Sequence, residues 1–91
     1  MLVHMRYFAS LREAIGIEEE TISLPQGVED LQGLRRFLVA RGDVWSDAFA
    51  EDKALRAAIN QELVKASASL KDQAEVAFFP PVTGAIVTPL S

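Results

Sequence analysis

The first apolar segment of the chain, LVHMRYF at residues 2–8, alternates with a period of two. Val3, Met5 and Tyr7 fall on one face of this segment, and the residues between them are on average more polar. A two-residue period over β-forming side chains predicts a strand with one buried face and one wetter face.

A short helix and a second strand follow this segment. Residues 9–16, ASLREAIG, predict the helix, with Ser10 as its N-cap, Glu13 as the capping-box partner and Gly16 as its end. Residues 18–27, EEETISLPQG, predict a strand that ends in a turn rich in proline and glycine. The helix is too short for a parallel crossover, so we expect the first two strands to pair antiparallel.

The clearest helical pattern lies at residues 28–42, VEDLQGLRRFLVARG. Its apolar residues recur at spacings of three and four, at Val28, Leu31, Leu34, Phe37 and Leu38. Asp30 falls in the first turn, where a negative charge suits the helix dipole, and Gly42 is placed to end the helix. Gly33 inside the pattern indicates close packing.

The last third of the chain predicts short strands. Residues 43–56 form a loop or short helical turn that carries Trp45 and Phe49, and residues 56–67 form two short strands joined at Asn60-Gln61-Glu62. Glu75 to Phe79 is the last strand, expected beside the first. One long helix on a small mixed sheet predicts an α+β fold of two layers.

Composition narrows the function classes. A chain of 91 residues that is 49% hydrophobic is long enough for one folded domain. Its net charge of −4 and the lack of a basic patch argue against a nucleic-acid partner. It has no cysteine and no apolar run of about 18 residues that would span a membrane. We expect a cytoplasmic protein without membrane contact.

Side chains that could catalyse a reaction are sparse. The sequence contains no phosphate-binding loop, no dinucleotide fingerprint and no zinc-protease motif. His4 is the single histidine, and it has neither a nucleophile nor an orienting carboxylate near it in sequence. Residues 18–20 are three glutamates that are better explained as a solvated stretch than as a cation site. We expect no metal site and no autonomous enzyme.

Three segments carry a family resemblance. They are YFASLREAIG at residues 7–16, AAINQELV at residues 57–64 and DQAEVAFFPPVTG at residues 72–84. Together they resemble the small subunit of molybdopterin synthase (MoaD), a family of ubiquitin-like sulfur carriers related to ThiS. The resemblance covers about residues 2 to 84, and EVAFFPPVTG is its most specific part. It implies a β-grasp fold with four to five strands in a mixed sheet crossed by one long helix.

The resemblance also implies a function. Such carriers end in Gly-Gly, and an ATP-dependent, ubiquitin-activating-like adenylyltransferase (MoeB-like) activates the terminal carboxylate, which then becomes a thiocarboxylate. The tail enters the large synthase subunit (MoaE-like) and donates sulfur for the dithiolene of the molybdenum cofactor. The carrier is a protein substrate with no bound cofactor of its own, since ATP is used by its activating partner.

The implied site residues lie near the end of the chain. Gly84 matches a carrier glycine. The segment that leads into the partner is matched by Pro80, Pro81, Val82 and Thr83. Two consecutive prolines stiffen such an exit and lower the ordering cost of insertion. Leu63 and Phe79 match an apolar patch that contacts both partners in the family. The alternative is that these two side chains belong to the core.

The sequence departs from the family pattern after Gly84. Ala85 replaces the second glycine, and residues 86–91 follow it. We therefore divide the chain into a sulfur-carrier-like β-grasp domain at residues 1–84 and a C-terminal extension at residues 85–91. Proteolytic trimming, a paralogue that binds without donating sulfur, and an end altered by frameshift or engineering are all open explanations. The alternative function is a β-grasp interaction or modifier module without sulfur transfer.

Overall fold

A computed structural model describes residues 1–81 of the chain. These residues form five strands and three helices. In chain order the elements are β1 (Leu2–Tyr7), α1 (Ala9–Ile15), β2 (Glu19–Ser23), α2 (Leu31–Val39), α3 (Asp43–Ala48), β3 (Arg56–Ile59), β4 (Glu62–Val64) and β5 (Ala74–Phe79). The predicted order of elements is confirmed, and the loop or helical turn after the long helix is the short helix α3.

The five strands make one mixed sheet in the order β2-β1-β5-β3-β4. β1 pairs antiparallel with β2, as predicted, and parallel with β5, so the first and last strands are neighbours at the centre of the sheet. β3 pairs antiparallel with both β5 and β4. Asn60 and Gln61 link β3 to β4 with positive φ angles of 51° and 72°, the combination that a tight two-residue hairpin requires.

The core lies between one face of this sheet and the helices. The inner face of β1 and β5 carries the apolar residues that the alternation predicted, and each is buried. The largest fully buried side chains are Tyr7, Phe49, Met5, Leu34, Leu38, Val3 and Val76. The period-two pattern thus identifies the face of the sheet that packs against the helices.

Helix α2 begins three residues later than the periodicity predicted. Asp30 has an extended backbone and is the N-cap, and its side chain accepts a hydrogen bond of 2.8 Å from the backbone N–H of Gly33. The prediction of a start at Val28 was wrong because apolar spacing continues through the preceding turn. A Cβ on Gly33 would lie 3.2 Å from the Asp30 carboxylate, so the close packing expected at this glycine is confirmed.

The predicted N-cap of α1 was also wrong. Phe8, not Ser10, occupies the cap position, and no side chain caps the helix, because the chain turns from β1 into α1 without an intervening loop. Ala9 makes this turn with a φ of 55°. The predicted end is confirmed: Gly16 adopts a left-handed conformation and its N–H donates to the carbonyl of Arg12 (2.9 Å).

An aromatic cluster joins α3 to the sheet. The ring of Phe49 stacks on Trp45 at 5.7 Å and meets Phe78 edge-on at 5.3 Å, and Tyr7 contacts both Trp45 and Phe49 edge-on. Such offset and edge-to-face contacts stabilise a core beyond the burial of area alone. These contacts hold α3 against the sheet. The sequence had left this segment open between a loop and a short helix.

One longer helix against a five-stranded mixed sheet with parallel central strands is the predicted α+β, β-grasp architecture. Within residues 1–81, the helices are all too short to cross a membrane. Among residues 1–81, the second face of the sheet is not covered by helices, and the candidate site residues Leu63 and Phe79 lie on it.

Candidate docking surface on the outer face of the sheet

The face of the sheet that points away from the helices carries an apolar patch. We define this outer patch by Phe8, Ala58, Leu63, Ala77 and Phe79. The register places them together: Ala58 pairs with both Leu63 and Ala77, while Phe79 lies at the end of β5. The backbone N–H of Phe8 donates to the carbonyl of Phe78 (3.3 Å), which brings Phe8 to the same end of the sheet.

Leu63 and Phe79 share this surface. They flank β3 on the same face, opposite Ala58 and Arg56 respectively. The side chain of Leu63 is 65% exposed, that of Phe8 is 39% exposed and Phe79 is half-buried. The alternative that Leu63 and Phe79 are core residues is therefore wrong for Leu63, and Phe79 lies on the face opposite the core. Their contact with a partner stays a prediction.

Arg6 borders the outer patch, a position that the sequence did not single out. It pairs with Ala77, and its guanidinium carbon lies 5.6 Å from the centre of the Phe8 ring. One terminal nitrogen is 3.5 Å from the Glu75 carboxylate. Its Nε is buried and has no hydrogen-bond partner among residues 1–81. The outer patch thus combines apolar side chains with a cation at its border.

The exit from the sheet follows the outer patch directly. Pro80 is half-buried and Pro81 is exposed, and both come immediately after Phe79. Neither has a backbone N–H to donate, so the ladder of β5 ends here. The other predicted site residues, Val82, Thr83 and Gly84, lie outside the described residues, as does the predicted extension at residues 85–91.

His4 has neighbours that explain it without catalysis. Its Nδ1 lies 3.1 Å from the hydroxyl of Thr21 and its Nε2 lies 3.0 Å from the side-chain oxygen of Gln73. Next to it, the Asp72 carboxylate accepts a hydrogen bond from the backbone N–H of Leu2 (2.7 Å), and this bond lowers the pKa of Asp72. Both ring nitrogens are thus engaged by the neutral side chains of Thr21 and Gln73, which hold the imidazole in place.

Glu20 differs from the other glutamates of its run. Its carboxylate accepts the hydroxyl of Tyr7 (2.8 Å) and pairs with Arg41 at 2.9 and 3.2 Å. Burial, with the hydrogen bond to Glu20 next in importance, raises the pKa of Tyr7 well above its usual range. The interpretation of residues 18–20 as uniformly solvated was therefore wrong for Glu20, which supports the core.

The described part of the chain offers no metal-binding cluster at this surface. Across residues 1–81, no group of three or more histidine, aspartate or glutamate side chains is placed to hold a metal ion. The surface offers contact area, a stiff exit and a cation, which are features for binding another protein.

Comparison with known proteins agrees with this architecture. The ThiS family model matches residues 5–84. The molybdopterin synthase sulfur carrier subunit of Haemophilus influenzae is 37% identical over 83 residues, 91% of this chain and 99% of the relative. The subunit of the same name from Escherichia coli is 39% identical over 83 residues, with the same shares covered.

A solved structure extends the comparison to a complex. The chain is similar to one in the protein–protein complex of subunits 1 and 2 of the molybdopterin-converting factor from Helicobacter pylori, with 26% identity and a TM-score of 0.62. The match covers 92% of this chain and 99% of that one. The family match spans most of the sequence and the fold agrees with it: the chain belongs to the ThiS family.

Proposed function

We propose that this chain is the small sulfur-carrier subunit of a molybdopterin synthase. In this role it carries sulfur as a C-terminal thiocarboxylate for dithiolene formation in molybdenum cofactor biosynthesis. The observation that carries the proposal is the identity of 37–39% over 99% of two relatives that are both named as that subunit.

The geometry of the outer patch supports a large-subunit partner. Leu63 and Phe79 lie on one face of the sheet, and Pro80-Pro81 leave the sheet beside them. A surface next to the exit would hold the carrier while its tail enters the partner. A related chain forms a complex of subunits 1 and 2 in the Helicobacter pylori protein, which is the arrangement proposed for this chain.

The proposed chemistry takes place at the end of the carrier. A terminal carboxylate attacks the α-phosphate of ATP on an adenylyltransferase partner, releasing pyrophosphate and forming an acyl adenylate. A sulfur nucleophile then displaces AMP, and the thiocarboxylate keeps one oxygen and gains one sulfur. Glycine suits this position because it has no side chain to obstruct a narrow channel. The carrier itself binds no cofactor in this scheme.

Ala85 sets a condition on this chemistry. In any form of the chain that retains Ala85, the carbonyl of Gly84 is part of a peptide bond and cannot be adenylated. Sulfur transfer by the usual route therefore requires cleavage after Gly84 or Ala85. The division into residues 1–84 and 85–91 follows from the same reasoning and stays a prediction.

Intact mass after activation tests the proposal. Three forms are incubated with the activating enzyme, ATP and a sulfur donor: the full chain, a chain ending at Gly84, and an Ala85→Gly chain ending at position 85. We expect the Ala85→Gly form to gain the mass difference between sulfur and oxygen, and the full chain to gain nothing. The chain ending at Gly84 reports whether one glycine is enough. If no form gained mass, the carrier function would be wrong.

A second function is favoured by one observation, the Gly84-Ala85 pair in place of Gly-Gly. It is that of a β-grasp interaction or modifier module that binds a partner through the outer patch without transferring sulfur. Binding of the large subunit together with no mass gain on any form would select this module. Binding with a mass gain would select the carrier.

A further inference from the structure

A groove opens on the inner side of the sheet, where helix α2 does not cover β3 and β4. It has a volume of about 1060 Å³, and at the β4 edge it extends to Leu63 of the outer patch. Its apolar lining includes Leu31, Val39, Leu55, Ala57, Val64 and Phe78. Val39, Leu55 and Val64 are only half-buried, so the groove offers apolar surface that the core does not fill.

Cations surround this apolar floor. Arg36, Arg56 and Lys65 line the groove and are exposed, and none of them forms an ion pair with an acidic residue of 1–81. Arg35 also lines it, but its guanidinium is used inside the fold, where it donates to the carbonyls of Phe49, Ala50 and Lys53. Glu51 also lines the groove, so the lining that the structure describes combines one carboxylate with four cationic side chains and stays positive in a chain with a net charge of −4.

The groove runs along an open strand edge. β4 is the last strand of the sheet and pairs with β3 alone among the described elements. In an antiparallel pair, alternate residues direct their N–H and C=O groups away from the partner. The outer edge of β4 therefore presents backbone groups that another extended chain can pair with.

From these three features we propose that the groove between α2 and β4 docks an extended segment of a partner protein in which carboxylate side chains alternate with apolar ones. The segment would add to the sheet as a strand beside β4. Its apolar side chains would pack on Leu55 and Val64, and its carboxylates would pair with Arg36 and Lys65. Backbone pairing supplies affinity and the alternate side chains supply specificity in this mode of recognition. This site is distinct from the proposed carrier function, and it meets the outer patch at the β4 edge, where Leu63 lines the groove as well.

Two other occupants fit less well. A second copy could offer its acidic edge strand β2, but Ile22 and Leu24 are already buried in its own core and cannot enter the groove. The chain's own residues 85–91, AIVTPLS, contain no acidic side chain to pair with the lining cations. Charge complementarity therefore favours a partner segment over both.

Two synthetic peptides with the sequences VEVEVEV and VKVKVKV test the proposal. Each is titrated into the isotope-labelled full chain while backbone amide signals are followed by NMR. We expect the acidic peptide to shift the amides of residues 62–66 and 32–39 and to bind at least about tenfold more tightly than the basic one. Absence of shifts in these two segments, or equal binding of both peptides, would overturn the proposal.

A pair of charge-reversal variants separates the groove from general electrostatics. Arg36→Glu with Lys65→Glu removes two groove cations, whereas Arg12→Glu with Lys71→Glu makes the same change in net charge at exposed positions outside the groove lining. We expect the first pair to weaken acidic-peptide binding about tenfold, and the second to change it less than about twofold. Equal weakening by both pairs would contradict a groove site.

The same spectra identify the competing occupants. If the amides of residues 62–66 differ between the full chain and a chain ending at Gly84, and the acidic peptide binds only the shorter chain, the chain's own extension is the occupant and the proposal is wrong. Shifts of these amides with protein concentration would indicate a second copy and also overturn it. Activation is measured by mass in the absence of any peptide, so either proposal can fail alone.

Discussion

Phe78 and Phe79 are identical residues next to each other in one strand, yet they lie in opposite environments. Phe78 is 3% exposed and its ring packs edge-on against Phe49 at 5.3 Å. Phe79 is half-buried on the outer face, opposite Arg56. Alternation along one strand therefore gives neighbouring residues different roles. The inner ring of Phe78 stabilises the fold, and the outer ring of Phe79 is available to a partner.

The division extends across the whole sheet. On the inner face of β1 every position is apolar and buried, whereas the outer face carries His4 and Arg6. Leu63 is the extreme case on the outer face, since an exposed leucine adds little to stability. Its presence beside Phe79 is explained if the outer patch binds another protein.

Among the substitutions considered, one on the inner face of the sheet should have the largest effect, and the effect is on stability. Phe78→Ala removes a buried ring from the aromatic cluster and should lower the free energy of unfolding by about 3–5 kcal/mol, since a cavity forms. Urea unfolding measures this loss, with Phe79→Ala as the matched control that should lose less than about 2 kcal/mol. Equal losses of unfolding free energy for the two variants would contradict the different roles assigned to Phe78 and Phe79.

The next effect is on binding. Leu63→Ala and Phe79→Ala should each weaken binding to the large synthase subunit by about 10–100-fold, the range of an apolar interface anchor. The free energy of unfolding of Leu63→Ala should change by less than about 0.5 kcal/mol. Calorimetric titration measures the affinity. Leu2→Ala is the control, because Leu2 is 37% exposed at the end of β1 opposite to Phe8 and its truncation should leave the affinity unchanged.

A smaller effect concerns the alkaline limit of stability. Burial raises the pKa of Tyr7 above its ordinary value of 10.0, so the folded chain keeps the proton that the unfolded chain loses. The stabilisation is fully present below pH 10 and is lost as pH rises above it. Tyr7→Phe removes this dependence and, through the hydrogen bond to Glu20, should lower stability at neutral pH by about 1 kcal/mol.

Unfolding curves of wild type and Tyr7→Phe at several pH values check this. Tyr7 is the one tyrosine of the chain, so lysine titration, common to both proteins, cancels in the difference. The stability difference between them should shrink above pH 10. A difference that stays constant from neutral to alkaline pH would show that Tyr7 is not protected from ionisation.

The smallest effect is expected at Arg6. Its ion pair with Glu75 is long at 3.5 Å and partly exposed, and such pairs contribute about 0–1 kcal/mol. Arg6→Leu should therefore change the free energy of unfolding by less than about 1 kcal/mol, because the loss of the pair is offset by removal of a buried Nε without a partner. Chemical denaturation tests this, and a loss above 2 kcal/mol would place Arg6 among the residues that hold the fold.

These contrasts also show what the sequence could predict. Side-chain alternation correctly separated Val76 and Phe78 from Phe79, because a strand has a strict period of two. The order of elements and the pairing of the first strand with the last could be predicted from the same patterns. Helix boundaries were less accurate, since apolar spacing at Val28 continues into a turn and only Asp30 shows where the helix begins.

The groove beside β4 and the position of Arg6 could not be predicted. Arg36 and Lys65 are 29 positions apart in the sequence, and they line one groove only because α2 leaves the end of the sheet uncovered. The buried Nε of Arg6 likewise depends on neighbours from other strands. Such features follow from tertiary packing, which a single sequence does not specify by its local patterns.

The most direct test of the carrier function is the intact mass of the protein isolated from its native cell. The account predicts a form that ends at Gly84 or Ala85 and that carries sulfur in place of one carboxylate oxygen. It would be contradicted if every form retained residues 86–91 and none carried sulfur.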